Sequence, residues 1–210
     1  MTYELPIAAR RDADETRSRI LEALARILIR DGLAAVGVNA LAREAGADKV
    51  LIYRYFGDLD GVYRAFAERA DFWYAAADLL RGVDPSAITL GDALKLCLRR
   101  HAREIRRRPI ALAVLAAEPA MRTPLVAAME AVRESRSLEV AGWLGDHYQM
   151  PTSIDLPAIT LILGAALNYL AARAMKIRVM SGVAITTDRD WDRLSMAVDR
   201  LVDGVFAALC

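Results

Sequence analysis

Four side chains able to meet a phosphate or a base edge crowd into seven positions of the stretch "LAREAGADKVLIYRYF", Leu41 to Phe56: Lys49, Tyr53, Arg54 and Tyr55. A lysine and an arginine supply cationic donors, and two phenols supply hydroxyls. That is the equipment of a surface that positions itself on a nucleic-acid backbone and reads its bases. The stretch favours helix but breaks at Ala45-Gly46-Ala47-Asp48. A helix built only for packing has no reason to stop there, whereas one that presents its far end to an outside partner does. Gly46 suits the left-handed turn past a first helix, and Asp48 suits the N-cap of a second, Lys49 to Phe56. Helix, glycine turn and short helix together predict a helix-turn-helix, whose second helix lies in the DNA major groove. Val38 and Asn39, opening the first helix, join the predicted DNA-binding set with Val50 and Leu51, which offer apolar contacts to thymine methyls. Phe56 is assigned to the core of the head.

The sequence "IRDGLAAVGVNALAREAGADKVLIYRYFGDLDGVYRAF" resembles the DNA-binding head of the TetR family of bacterial transcriptional regulators. The resemblance rests on Asp31-Gly32, Leu41-Ala42, Ala45-Gly46 and above all Ile52-Tyr53-Arg54-Tyr55-Phe56, and covers roughly residues 16 to 66. It implies a homodimer reading a palindromic double-stranded DNA operator, a helical body that holds a small effector, and repression as the outcome. The chain departs from the pattern at three places. Gly37 stands where the family usually has threonine, Asp48-Lys49-Val50-Leu51 replaces a Ser-x-Gly/Ala-Thr run, and Leu59 stands where a phosphate-binding lysine is common. From residue 10 to residue 60, nine Lys and Arg face nine Asp and Glu, so the head is neutral. Fewer phosphate contacts imply weaker non-specific DNA binding and a shallower salt dependence. The neutral head also motivates a second reading, a helical dimeric module that binds a small molecule or protein with little specific DNA binding.

The elements that position these residues are all predicted to be helices, giving an all-α chain: a head of residues 15–60, after a flexible arm of 1–14, and a body of 61–210. The first helix starts at Thr16, with Ile20, Leu21, Leu24, Ile27 and Leu28 on one face. A long helix from Asp60 to about Leu80, with Val62, Phe66, Ala70 and Trp73 as its stripe, is shared by head and body. Further helices are expected at about 89–107, 109–117, 123–148, 155–180 and 188–208, with prolines at their starts or breaks.

In the body, Leu90, Leu94, Cys97, His101 and Ile105 form one stripe, and the arginines of "CLRRHAREIRRRP" are read as a solvated face. Large or polar residues in apolar settings, Phe72, Trp73, Cys97, His101, Met121, Met129, Trp143 and Asn168, are the candidate wall of a pocket for a small, largely apolar effector. Glu118 and Asn168 each need a partner if buried, and Asn168 is expected to bond across a helix pair. The segment Ile159 to Ala172 is apolar nearly all round and predicts a helix covered on more than one face. With the stripe of the last helix it gives a candidate two-fold interface: Ile159, Ile162, Leu163, Ala166, Trp191, Leu194, Val198, Leu201 and Val205.

Formal net charge is +1 over 210 residues, so any basic surface must be local. Two distant cysteines, Cys97 and Cys210, fit a reducing compartment, and the N-terminus has no apolar run, so a cytoplasmic protein with no membrane span is expected. Neither histidine, His101 or His147, stands in metal-ligand or nucleophile–base spacing, and no catalytic, metal or cofactor site is predicted.

Overall fold

The computed structural model describes residues 7–69, 72–120 and 122–208, and among these the chain forms ten α-helices and one short hairpin. Helix α1 (Ile7–Arg30) packs its apolar stripe inward, with Ile20, Ala23, Leu24 and Ile27 fully buried. It starts nine residues earlier than the expected Thr16, so residues 7–14 are helical rather than arm. A single 3₁₀ turn (Leu33–Ala35) leads to α2 (Val38–Ala45), α3 (Lys49–Phe56) and α4 (Leu59–Ala67), which complete the head. The body holds α5 (Ala76–Leu80), α6 (Leu90–Arg106), α7 (Pro109–Ala117), α8 (Pro124–His147), α9 (Leu156–Ala174) and α10 (Asp188–Ala207). Head and body meet where α4 packs on α8 and α1 on α7; within the body, α6 is sandwiched by α9 and α10.

The expected helix from 60 to 80 is not continuous. Helix α4 ends at Ala67, and the chain turns through Phe72, Trp73 and Tyr74 before α5 begins. Successive residues on a helix point about 100° apart, so three consecutive aromatics cannot share one buried face. Leaving the helix lets all three enter the core, where each is at most 5% exposed. Their rings form a chain: Phe66 to Phe72 at 5.7 Å, Phe72 to Trp73 at 6.3 Å, Trp73 to Tyr74 at 5.2 Å between centroids. Ala70, expected on the stripe, lies outside the described residues.

Two further expectations are corrected. Helix α9 stops at Ala174 rather than 180, because Ser181 and Gly182 both take positive φ and fold β1 (Val179–Met180) back on β2 (Val183–Ala184). The arginines of α6 are only in part a solvated face: Arg99 and Arg103 are exposed, yet several basic side chains of this helix also bind its neighbours. Arg99 chelates the buried Asp199, Lys95 meets Asp203 at 2.7 Å, and Arg106 meets Asp188 at 2.8 Å, tying α6 to α10 along its length. Arg100 donates to the Leu79 carbonyl at 2.6 Å and fastens α5.

At the head's exit, Gly61 sits so close to α3 that a Cβ there would fall 1.8 Å from the Phe56 carbonyl oxygen. Its N–H also donates the N-cap bond to Asp58 Oδ1 at 2.6 Å. Alanine is normally the better helix former by roughly 1 kcal/mol. Gly61→Ala is nevertheless expected to lower stability by about 2 kcal/mol or more, since backbone must move to admit the methyl; urea denaturation of the two proteins checks this, and an unchanged midpoint would contradict the close contact.

Candidate functional site

The recognition element is built around α3. Asp48 caps it as expected, its carboxylate accepting from the Val50 N–H at 2.9 Å. Gly46 ends α2 in the left-handed conformation (φ 58°, ψ 37°). Gly37, at the start of α2, provides no side-chain cap, the structural consequence of its replacing a hydroxyl residue. Helical rotation then divides α3. Ile52 is fully buried, and Tyr55 and Phe56 pack against the head's core. Val50 and Tyr53 are 67% and 50% exposed, and Lys49 and Arg54 also face outward. Leu51 lies half-buried on the flank. Of the first helix's pair, Asn39 is exposed and Val38 leans on the core. Tyr55 therefore sits on the core side of α3 rather than among the outward-facing residues.

Sequence reasoning missed the residues that hold this element. Arg17 of α1 donates to the Tyr55 carbonyl at 2.9 Å and lies over the Phe56 ring, 4.9 Å from its centroid, so one side chain fixes the C-terminal end of α3. Glu44 of α2 receives both Arg26 (2.8 Å) and Arg30 (3.0 Å) of α1, which hold its carboxyl below the ordinary range. Three of the head's cations are thus spent internally, while Lys49 and Arg54 have no ion pair among the described residues. Two readable signals existed: arginines on the outer face of α1, and an acid on α2 with no other role.

The body has a polar centre. His101 on α6 is 9% exposed. Its Nδ1 is hydrogen-bonded to the Tyr74 hydroxyl, with the two rings edge to face at 5.7 Å. The Asn168 side chain and the Gly164 carbonyl of α9 lie near enough to favour the protonated imidazole. Among the described residues neither closes a hydrogen bond of normal geometry with the buried Nε2, so the expected bond of Asn168 across the helix pair is approached but left open. Burial outweighs those neighbours and pushes the imidazole down to about 4. It also raises the Tyr74 phenol well above its usual range and the Cys97 thiol to about 11.

Charge around this centre is matched in pairs. Arg108, whose Cζ is 5.6 Å from the Tyr74 ring centroid, bonds Glu104 at 2.6 Å, and Arg133 meets Glu118 at 2.6 Å, which supplies the partner Glu118 needed.

Of the predicted effector wall, Phe72, Trp73, Cys97 and His101 gather here with Asn168, and Tyr74 is the member that sequence reasoning missed. Met129 is buried in the core of α8; Trp143 is half-buried and stacks on His147 at 4.3 Å; Met121 lies outside the described residues. Open space is found elsewhere: a cavity of about 10 Å³ between α6, α9 and α10, and an open groove of about 600 Å³ between α4 and α8. None of the predicted wall residues lines either.

Of the predicted interface, Ile162, Ala166 and Leu201 are exposed, and Leu194 and Val198 are half-buried. Ile159, Leu163 and Val205 turn inward to line the small cavity. Trp191 belongs to the subunit's own core, its Nε1 donating to the Ile185 carbonyl at 2.8 Å with Arg106 over its ring. Helix α9 is covered on one side only, not all round: Leu161, Ile162 and Tyr169 are exposed.

A short outward-facing helix following a glycine turn on a helical head, joined to a helical body, defines a helix-turn-helix architecture. Comparison with known proteins gives the family. Residues 20–66 match the model of the bacterial regulatory proteins of the tetR family. The HTH-type transcriptional repressor SCO4008 of Streptomyces coelicolor is 36% identical over 61 residues, a match spanning 29% of this chain and about a third (32%) of that protein's length. A TetR-family transcription regulator from Marinobacter aquaeolei shares the fold with a TM-score of 0.63 at 22% identity, covering 92% of this chain and 97% of that one. FadR of Bacillus subtilis, solved in complex with stearoyl-CoA, shares it with a TM-score of 0.59 at 14% identity over 88% and 96% of the two chains. The head matches the family model of the tetR-family regulators, and the whole chain shares the all-α fold of solved TetR-family regulators.

The depressed imidazole has a stability consequence. In the unfolded chain His101 takes up a proton near pH 6.5, whereas the folded protein resists until about pH 4. The unfolded state then binds more protons between those values, so stability falls as pH drops through that window and is unaffected above it. Stability at pH 5 is expected to be about 2 kcal/mol lower than at pH 7 from this group alone. Urea denaturation at both pH values, with His101→Gln beside wild type, checks it: the variant should lose most of the difference.

Proposed function

We propose that the protein is a cytoplasmic, homodimeric transcriptional regulator that represses by binding a palindromic operator and releases it when a small effector enters the body. The observation that carries this reading is the division of α3. Ile52 is sealed into the head, while Lys49, Val50, Tyr53 and Arg54 form one exposed stripe at the start and outer side of the helix. A helix placed in the major groove uses that face. The kinship of the head with a repressor supports the direction of control.

The open face of α9 and α10 supports the dimer. Leu161, Ile162 and Tyr169 on α9 and Met196 and Leu201 on α10 leave large apolar side chains exposed that a second copy would cover. Among the described residues α9 alone is long and apolar enough to cross a membrane. Its packing on α6 and α7, and its direct continuation into Arg173 and a polar hairpin, favour the interface between copies. A dimer supplies two recognition helices about one turn of DNA apart, roughly 34 Å.

The buried polar centre supports an effector in the body, in line with FadR of Bacillus subtilis, which shares the fold and was solved in complex with stearoyl-CoA. Control would pass through the turn after α4, since Tyr74 joins that turn to His101. An effector moves the equilibrium only by binding one arrangement of α4 better than the other.

Selection from a randomised DNA pool followed by sequencing is the direct test. Wild type should enrich a palindromic site, and Tyr53→Ala with Lys49→Ala should lose it; no enrichment by wild type at low salt would favour a binding module without specific DNA recognition. The interface is tested separately. Ile162→Glu with Leu201→Glu should halve the mass measured by light scattering and weaken operator binding by at least about tenfold, because a buried unpaired charge opposes association.

A further inference from the structure

The buried centre of the body offers a donor and an acceptor side by side. Tyr74 has one phenolic hydrogen, and among the described residues its side chain is hydrogen-bonded only to His101 Nδ1. In a site this buried the phenol spends that hydrogen on Nδ1, because the reverse direction would strand it. A neutral imidazole then carries its own hydrogen on Nε2. Burial keeps the ring neutral at physiological pH. His101 Nε2 is therefore a donor, Asn168 Oδ1 an acceptor, and both are buried and unpartnered. A group that satisfies both must accept one hydrogen bond and donate another, which a hydroxyl does and an ether or a carboxylate does not. The nearest charges argue the same way, since Arg108 is matched by Glu104 and Arg133 by Glu118. Those two cations are already committed and are not free to balance an anion, while Arg100 donates to the Leu79 carbonyl.

We propose that His101 and Asn168 form the polar pole of the effector site and read a neutral hydroxyl on an otherwise apolar ligand, with Tyr74 fixing the imidazole for the task. The inference rests on the body being an effector site, and it names the chemical class admitted there. The surrounding Trp73 and Tyr74 rings and the apolar stripe of α6 suit an aromatic or aliphatic skeleton. The same contact explains how such a ligand acts at a distance. A hydroxyl engaging Nε2 bears on the ring that holds Tyr74, and Tyr74 lies in the turn that carries α4 into the body.

The full-length protein is titrated calorimetrically with 2-naphthol, its methyl ether 2-methoxynaphthalene, and 2-naphthoate. Melting temperature and circular dichroism check the fold. 2-Naphthol is expected to bind at least about tenfold more tightly than either analogue, because each analogue leaves a buried polar group unpaired. It should also shift the imidazole ¹⁵N resonances of His101, distinguishable from His147 as the only other histidine. His101→Phe, and separately Asn168→Leu should the first disturb folding, are expected to reduce 2-naphthol to the affinity of the ether. Equal binding of 2-naphthol and its ether to wild type overturns the hydroxyl assignment alone and leaves the effector site standing. Binding by none of the three, with no change in melting temperature, overturns both.

Discussion

Burying three consecutive aromatics is the constraint on which the coupling of head and body depends. Phe72, Trp73 and Tyr74 can all leave water only if the chain abandons the helix after Ala67. Each such ring contributes on the order of 2 kcal/mol on burial, enough together to outweigh the hydrogen bonds of another helical turn. The break has two results. The head's last helix is short, and packs on α8 as a separate rigid piece. The turn beyond it is anchored in the centre of the body by the Tyr74–His101 bond.

Electrostatics in this chain serve assembly more than attraction. Much of the basic character that suggests a nucleic-acid partner is consumed inside the molecule: Arg17 on α3, Arg26 and Arg30 on Glu44, Arg99 and Arg106 on α10. Exposed pairs of this kind contribute little individually, but Arg99 on the buried Asp199 removes two charges from mutual mismatch and fixes the crossing of α6 and α10. The outer face of α3 is left with Lys49 and Arg54 as its cations, beside the exposed Val50 and Tyr53.

The body contrasts with the head in how its polar groups are treated. Surface carboxylates are capped or paired, as with Asp92 and Asp190 at helix starts. The groups at the centre are neutral, buried and only partly satisfied, an arrangement that costs stability and persists where a site has a use for it.

Periodicity and turn residues were enough to determine the helical class, the helix-turn-helix and the cap at Asp48, because each depends on contacts within a few residues. The exposed stripe of α3 was legible for the same reason, apart from Tyr55, whose place is set by α1 packing from another part of the chain. The break after Ala67 was hidden because Val62, Phe66 and Trp73 also fit a helical stripe. Nor could spacing tell that Trp191 and Ile159 face inward while Leu161 and Ile162 face out, since both faces of α9 are apolar. Tyr74 meeting His101 across 27 positions, and Arg99 meeting Asp199 across 100, have no local signature. Local sequence decided which segments are helices and which helix offers itself to DNA. Only tertiary packing decided which polar groups neutralise one another and which are left facing a partner, because that pairing is made between residues the chain keeps far apart.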